Sequence, residues 1–306
     1  MFAEELYQNA IKDKSIYIIV ADISPAGNMQ NFQKKYPDRF VNVGVSEMTM
    51  IGMCAGLALE KKRPFAYTIA NFTLYRPFEM VRNDLCYQNL PVTIVGMGAG
   101  TTYANLGGTH ISQEDISIAR SIPNMQIIAP SDPLELKEAV RYCCKNSKSP
   151  IYLRIGKSGE ENFTQNSIEK WKFGKIRKIV NGKDSCILTY GPIIKKAFKL
   201  KENLAKRDFN ASIYSCSTLK PIDKNRLKKI FRKYKSVIII EDHSVINGLS
   251  QIVKVEAYDN KYLGKIIDFN LQDKFLNNYE SQDALQNTHG LSDKLILNKT
   301  LNILIK

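Results

Sequence analysis

No glycine loop of the kind that cradles a phosphate occurs in this sequence. There is no GxGxxG after a strand and no GxxxxGK followed by serine or threonine. GxSxG and HExxH are missing too, and only three histidines are present, His110, His243 and His289. A self-sufficient NAD, ATP or zinc enzyme is therefore not indicated. Cysteine is sparse, with six residues and no CxxC spacing. That argues against a disulfide frame or a zinc site and reads as reduced thiols in a cytoplasmic protein. The opening MFAEELYQNA is acidic and helical, unlike a targeting segment. The stretch from Leu85 to Gln113 has no Asp, Glu, Lys or Arg, but Pro91 and five glycines interrupt it. It reads as a buried strand and a loop that lines something, not as a bilayer helix.

Acidic residues are scarce in only one half. Residues 1–150 carry 15 basic and 14 acidic side chains, whereas residues 151–306 carry 29 and 16. Two unlike surfaces on 306 residues fit two domains, each large enough for its own core. The excess lies mainly between Lys172 and Lys235 without interleaved aromatics. It reads as solvated lysine-rich surface, not as a nucleic-acid interface.

Short apolar runs alternate with amphipathic stretches. Strands are predicted at 15–20, 40–44, 63–69, 92–97, 126–130 and 151–155, rich in Ile, Val and Tyr. Helices are predicted at 46–60, 74–88, 113–122 and 132–146, the last capped by Asp132 with Pro133 in its first turn. This alternation predicts an α/β fold with a parallel sheet. The polar stretch from Gly156 to Asp184 reads as a linker with a short exposed hairpin. A second, smaller α/β series follows, with strands at 185–191, 212–217, 237–242 and 265–271 and a last helix capped by Ser292. The expected division is 1–156, a linker at 157–184, and 185–306.

Several side chains cluster around the uncharged stretch. Glu47, in VGVSEMTM, falls in the first turn of a helix, where the helix N-terminus favours a carboxylate. Asn71, Phe72, Tyr75 and Arg76 fall at a strand-to-helix junction in ANFTLYRPFEM. His110 sits in the loop GGTHISQED. Taken singly, these have ordinary readings as a cap, as core packing, as a surface arginine and as a structural histidine.

Their order and spacing are more specific. The segment FVNVGVSEMTMIGMCAGLALEKKRPFAYTIANFTLYRPFEMVRNDLCYQNLPVTIVG, followed by GGTHISQEDISIARSIPNMQIIAPSDPLELKEAV, resembles the pyrimidine-binding domain of transketolases. EDHSVINGLSQIVKVEAY and HGLSD are similar to that family's C-terminal domain. The likeness covers nearly the whole chain and is nearest to the C-terminal subunit of transketolases encoded as two chains. It implies thiamine diphosphate as cofactor, with Mg²⁺ and the diphosphate held by a GDG…N motif on a partner chain, since no GDG occurs here. It also implies two copies of each chain, sugar substrates and no membrane.

Residue by residue, the resemblance implies that Glu47 shares a proton with the pyrimidine ring and that Phe72 stacks on it. Ile69, Tyr75, Arg76 and Asp22 are implied around the cofactor. His110 is implied to face the substrate's oxygens, and Arg154 to bind a sugar phosphate. Departures fall on the substrate side. Gly98 stands where the family has a histidine and Leu106 where it has an aspartate, while Ala26 and Gly27 replace a phosphate-binding serine. These changes predict a roomier, less polar sugar site and an atypical, modified or nucleotide-linked sugar. The alternatives are a deoxyxylulose phosphate synthase-like enzyme, a 2-oxo acid dehydrogenase β subunit, or a non-catalytic subunit on the same fold.

Overall fold

The computed structural model describes every residue except Ala26, Ser147 and Lys306. The expectation placed on Ala26 thus lies outside the described residues. In chain order the strands are β1 (Ile16–Val20), β2 (Phe40–Asn42), β3 (Arg63–Ile69), β4 (Thr93–Met97), β5 (Gln126–Ile128) and β6 (Ile151–Arg154). They are followed by β7 (Arg177–Val180), β8 (Ser185–Thr189), β9 (Ala211–Ser215), β10 (Thr218–Lys220), β11 (Ser236–Ser244) and β12 (Lys265–Leu271).

The β-branched runs behave as their composition requires. Strands buried on both faces need continuous apolar sequence, and parallel pairing needs a crossover between neighbours. The first sheet runs β10-β5-β6-β4-β3-β1-β2 and is parallel except where β10 meets β5. Ile18, in the middle of β1, pairs with Phe40 of the edge strand β2 on one side and Phe65 of β3 on the other. The second sheet runs β12-β11-β8-β9-β7 and is parallel except for β7 on β9.

Two features differ from the sequence reading. The hairpin expected between residues 156 and 184 does not form. Instead Arg177–Val180 pairs with β9 as an antiparallel edge strand, because the apolar Ile179 and Val180 pack onto the second sheet's core. The other is β10, which follows the linker in sequence yet closes the first sheet against β5. One apolar core accordingly runs from Ile94, Ile127 and Tyr152 through to Leu188, Tyr190 and Leu219.

The helix Pro133–Lys145 shows how the linker is tied down. Asp132 caps it, with Oδ1 accepting from the Glu135 backbone N–H at 2.9 Å. Its Oδ2 also accepts from the backbone N–H groups of Phe163 and Thr164, at 2.9 and 2.6 Å. Asp132 is buried, so removing it leaves donors unpaired as well as losing a cap. Asp132→Ala is expected to lower stability by about 2–4 kcal/mol in chemical denaturation, and Asp132→Asn by less, since an amide oxygen still caps.

Candidate active site

Strand β1 lies between β2 and β3. The chain leaves β1 for one side and then returns to the other, so a crevice opens beyond the carboxyl ends of these strands. The segments that follow them carry the predicted residues. Asp22 follows β1, Glu47 follows β2, and Ile69–Arg76 ends β3 and continues as the short helix Ala70–Leu74.

Glu47 opens the helix Glu47–Leu59, whose buried Met50, Ile51, Cys54, Ala55 and Ala58 form one apolar stripe. Packing of that stripe against the sheet fixes the carboxylate, which is 6% exposed. The Ser46 side chain makes no cap bond to this helix. The carboxylate therefore stands in the first turn of a helix whose N-terminus has no side-chain cap. Arg76 donates to Glu47 Oε1 at 2.8 Å. The same guanidinium lies over the Phe72 ring, 4.3 Å from its centroid. The His110 imidazole meets that ring edge-on at 5.3 Å. Glu47, Arg76, Phe72 and His110 are thus one contiguous cluster.

Tyr75 turns inward and donates to Glu114 Oε2 at 3.3 Å. Burial, followed by the Asp115 and Glu114 carboxylates, pushes its phenol well above the ordinary range. Burial likewise raises the Glu114 carboxyl, opposed by the Tyr75 bond. A cleft of about 610 Å³ opens beside Phe72, Tyr75 and Arg76. Two buried amides on its wall keep an oxygen without a partner, Asn71 Oδ1 and Gln113 Oε1. Their NH₂ groups are used, donating to the carbonyls of Ile111 at 2.9 Å and Lys274 at 3.1 Å.

Other predicted residues lie apart from this cluster. Asp22 is exposed in a left-handed turn, its N–H donating to Asn42 Oδ1 at 3.3 Å. Ile69 is half-buried at the end of β3. Leu106 is exposed on a short turn of helix.

Two substrate-side expectations need correcting. Gly98 does not open space, because a Cβ there would collide with the Tyr103 ring, which fills the position. Arg154 is not presented to a ligand. It is 3% exposed, its Nε donates to Asp115 Oδ2 at 2.8 Å, and its Nη2 donates to the Asp242 carbonyl at 3.0 Å. Burial, the largest single influence, would depress its guanidinium, but Asp115, Tyr190, Tyr152 and Asp242 together outweigh it and hold the group protonated. Among the described residues, no group of three or more His, Cys, Asp or Glu side chains is placed to hold a metal ion.

Sequence reasoning missed Gln113 and the loop from the second domain that closes the cleft. Phe275, Leu276, Asn277 and Tyr279 lie on the cleft wall. They are more than 160 residues from Gln113, and no local pattern in FLNNY marks them as site residues.

Comparison with known proteins gives a consistent picture. Residues 1–159 match the family model "Transketolase, pyrimidine binding domain" and residues 174–296 match "Transketolase, C-terminal domain". A protein of Methanocaldococcus jannaschii described as a transketolase C-terminal section is 33% identical over 301 residues, covering 98% of this chain and 94% of that protein. One subunit of an apulose-4-phosphate transketolase from Phocaeicola vulgatus is 29% identical, covering 87% of this chain and 85% of its own. A solved structure titled as a split gene transketolase, inactive beta4 tetramer, superposes with a TM-score of 0.89 at 29% identity. That match covers 99% of this chain and 97% of the solved one.

Proposed function

The chain belongs to the transketolase family, and from that premise we propose that it is the pyrimidine-binding subunit of a two-chain transketolase that uses thiamine diphosphate. The observation that carries the reading is a buried carboxylate at a helix N-terminus one arginine away from a half-open phenylalanine ring. The residues present fit an aminopyrimidine. Phe72 offers a face to stack on, and Glu47 and the unpaired Asn71 oxygen offer acceptors for ring and amino N–H groups. When bound, the cofactor supplies the carbon nucleophile and the electron sink for transfer of a two-carbon ketol unit.

The chain's own residues then have distinct tasks. Glu47 accepts and returns a proton at its buried carboxylate, and Arg76 holds that carboxylate in place. Arg76 covers one face of Phe72, so a ring stacking on that face must displace it. His110 accepts or donates through Nδ1 to Thr109 Oγ1 at 3.0 Å. Its Nε2 has no protein partner among the described residues and is available to a substrate oxygen. Tyr75 lines the cleft, and the roles that the resemblance implies for Asp22 and Ile69 are left to the cofactor's far side, toward the partner chain.

The partner chain is read as the holder of the diphosphate and Mg²⁺, since this sequence carries no GDG motif. Two copies of each chain are the expected assembly. The solved relative titled as an inactive tetramer of beta chains alone supports a need for the other subunit. An atypical sugar is supported by the exposed, apolar Leu106, by the burial of Arg154, and by the relative named for apulose 4-phosphate.

Titration calorimetry tests the assembly. The isolated chain is expected to show no tight Mg²⁺-dependent binding of thiamine diphosphate, and the mixture with its partner is expected to bind it. Tight binding by this chain alone overturns the division of labour. A donor and acceptor panel on the complex tests the sugar. Xylulose 5-phosphate and ribose 5-phosphate are expected to turn over well below ~10 s⁻¹, an ordinary enzyme rate.

A further inference from the structure

The cleft at Phe72 has a wall from each domain. The loop joining β12 to the helix Gln282–Gln286 crosses from the second domain onto the glycine pair Gly107–Gly108. A Cβ on Gly107 would stand 2.5 Å from the Tyr279 ring, whereas one on Gly108 would just touch the Leu276 carbonyl at 3.4 Å. Gly107 also adopts φ +80°, a left-handed conformation that a side chain would strain. The glycine pair therefore serves as a seat for this loop. Gln113 fastens it by donating to the Lys274 carbonyl.

Seated there, the loop presents two polar groups at the mouth of the cleft. Neither the Tyr279 hydroxyl nor the Asn277 amide has a hydrogen-bond partner among the described residues. Tyr279 is 78% exposed although its ring is held against Gly107. Beside the loop, Gln113 adds a buried, unpartnered Oε1 to the same cleft. Leu106, next to the seat, offers no hydrogen bond. A ligand that satisfies this set must carry several groups that both donate and accept, set along a short chain. Polyhydroxylated carbon chains have that chemistry, whereas an apolar or purely anionic ligand would leave Gln113 Oε1 unpaired.

We propose that Tyr279, with Asn277, is a specificity-determining residue contributed by the second domain, reading a hydroxyl of the sugar in concert with Gln113. This rests on the transketolase reading above and extends it, because no residue of the second domain has so far been given a part in the site.

The test uses the complex reconstituted with its partner chain. Tyr279→Phe keeps the ring on Gly107 and removes only the hydroxyl, so folding and assembly are preserved. It is expected to lower kcat/KM for the best sugar roughly tenfold or more, mainly through KM, and to leave a deoxy analogue lacking the read hydroxyl within about twofold. Cofactor affinity by calorimetry is expected to stay unchanged. An unaltered sugar ranking, or an equal loss on every sugar including the deoxy analogue, overturns the proposal. A second readout does not need turnover. Hydrogen–deuterium exchange across residues 272–281 is expected to slow on adding sugar to the wild-type complex, and an unchanged exchange rate overturns the proposal as well. A complex that transfers no ketol unit from any sugar would refute the proposed function instead, leaving the exchange measurement to decide on the loop.

Discussion

Glu47→Gln is expected to reduce ketol transfer by at least ~10²-fold in the reconstituted complex, the low end for a positioned acid–base group. The substitution is nearly isosteric, and the apolar stripe of the helix behind it is untouched, so the fold should persist. Arg76 loses an ionic partner, but its side chain is half exposed and water can replace the contact. What the amide cannot do is accept and release a proton at working pH. On the proposed role of Glu47 toward the cofactor, the loss should appear in kcat with little change in KM for the sugar. Assembly with the partner, followed by size-exclusion chromatography, should match the wild type. Near-normal turnover in Glu47→Gln would remove the basis for placing the chemistry at this helix N-terminus.

The second large effect concerns stability. Arg154→Met is expected to destabilise the chain by about 3–5 kcal/mol, because it leaves the Asp115 carboxylate buried and uncompensated. Asp115 is wholly buried and already has one oxygen, Oδ1, without a hydrogen bond. It also accepts from the Tyr152 hydroxyl at 2.8 Å, so the pair sits in a network that spreads the damage. The network reaches the second domain directly. Arg154 donates to the Asp242 carbonyl, and the Asp242 carboxylate accepts from the Thr101 backbone N–H at 3.1 Å. Burial raises the Asp242 carboxyl, with the Arg154 charge and the Thr101 bonds opposing it.

Replacing both partners, Asp115→Leu with Arg154→Met, should cost less than Arg154→Met alone, since no unpaired charge remains. Denaturant midpoints of the three variants check this. A stable Arg154→Met chain with weakened affinity for sugar phosphates would reinstate the role that the sequence resemblance implies for this arginine.

These contrasts show which parts of the site local sequence can encode. Strand and helix positions follow periodicity and β-branched runs, so β3 and β12 coincide with the predicted 63–69 and 265–271. Caps were equally legible, as Asp132 and Ser292 each accept the expected backbone N–H. That Phe72, Tyr75 and Arg76 lie together was legible because they fall within about one turn of chain, so their mutual geometry is nearly local. Arg154 was misread because a motif position says nothing about burial, and its partner Asp115 lies on a different element. Gly98 was misread because the residue that fills its space, Tyr103, lies further along the loop and could equally have pointed away. The strap at 275–279 was invisible for a stronger reason. Its place depends on how two sheets pack, which no spacing within either half records.

The strand exchange between the two halves bears on how the chain is made. A ribosome finishes residues 126–128 well before it reaches 218–220, an interval of several seconds at roughly 5–20 residues per second. Throughout that time the outer edge of β5 carries unpaired backbone N–H and C=O groups on an apolar strand, a template for adhesion to other nascent chains. The first half cannot be sealed by its own residues. Its last seam is closed by material from the second half, so the two halves mature together, and a message truncated between them yields a product with an open, adhesive border.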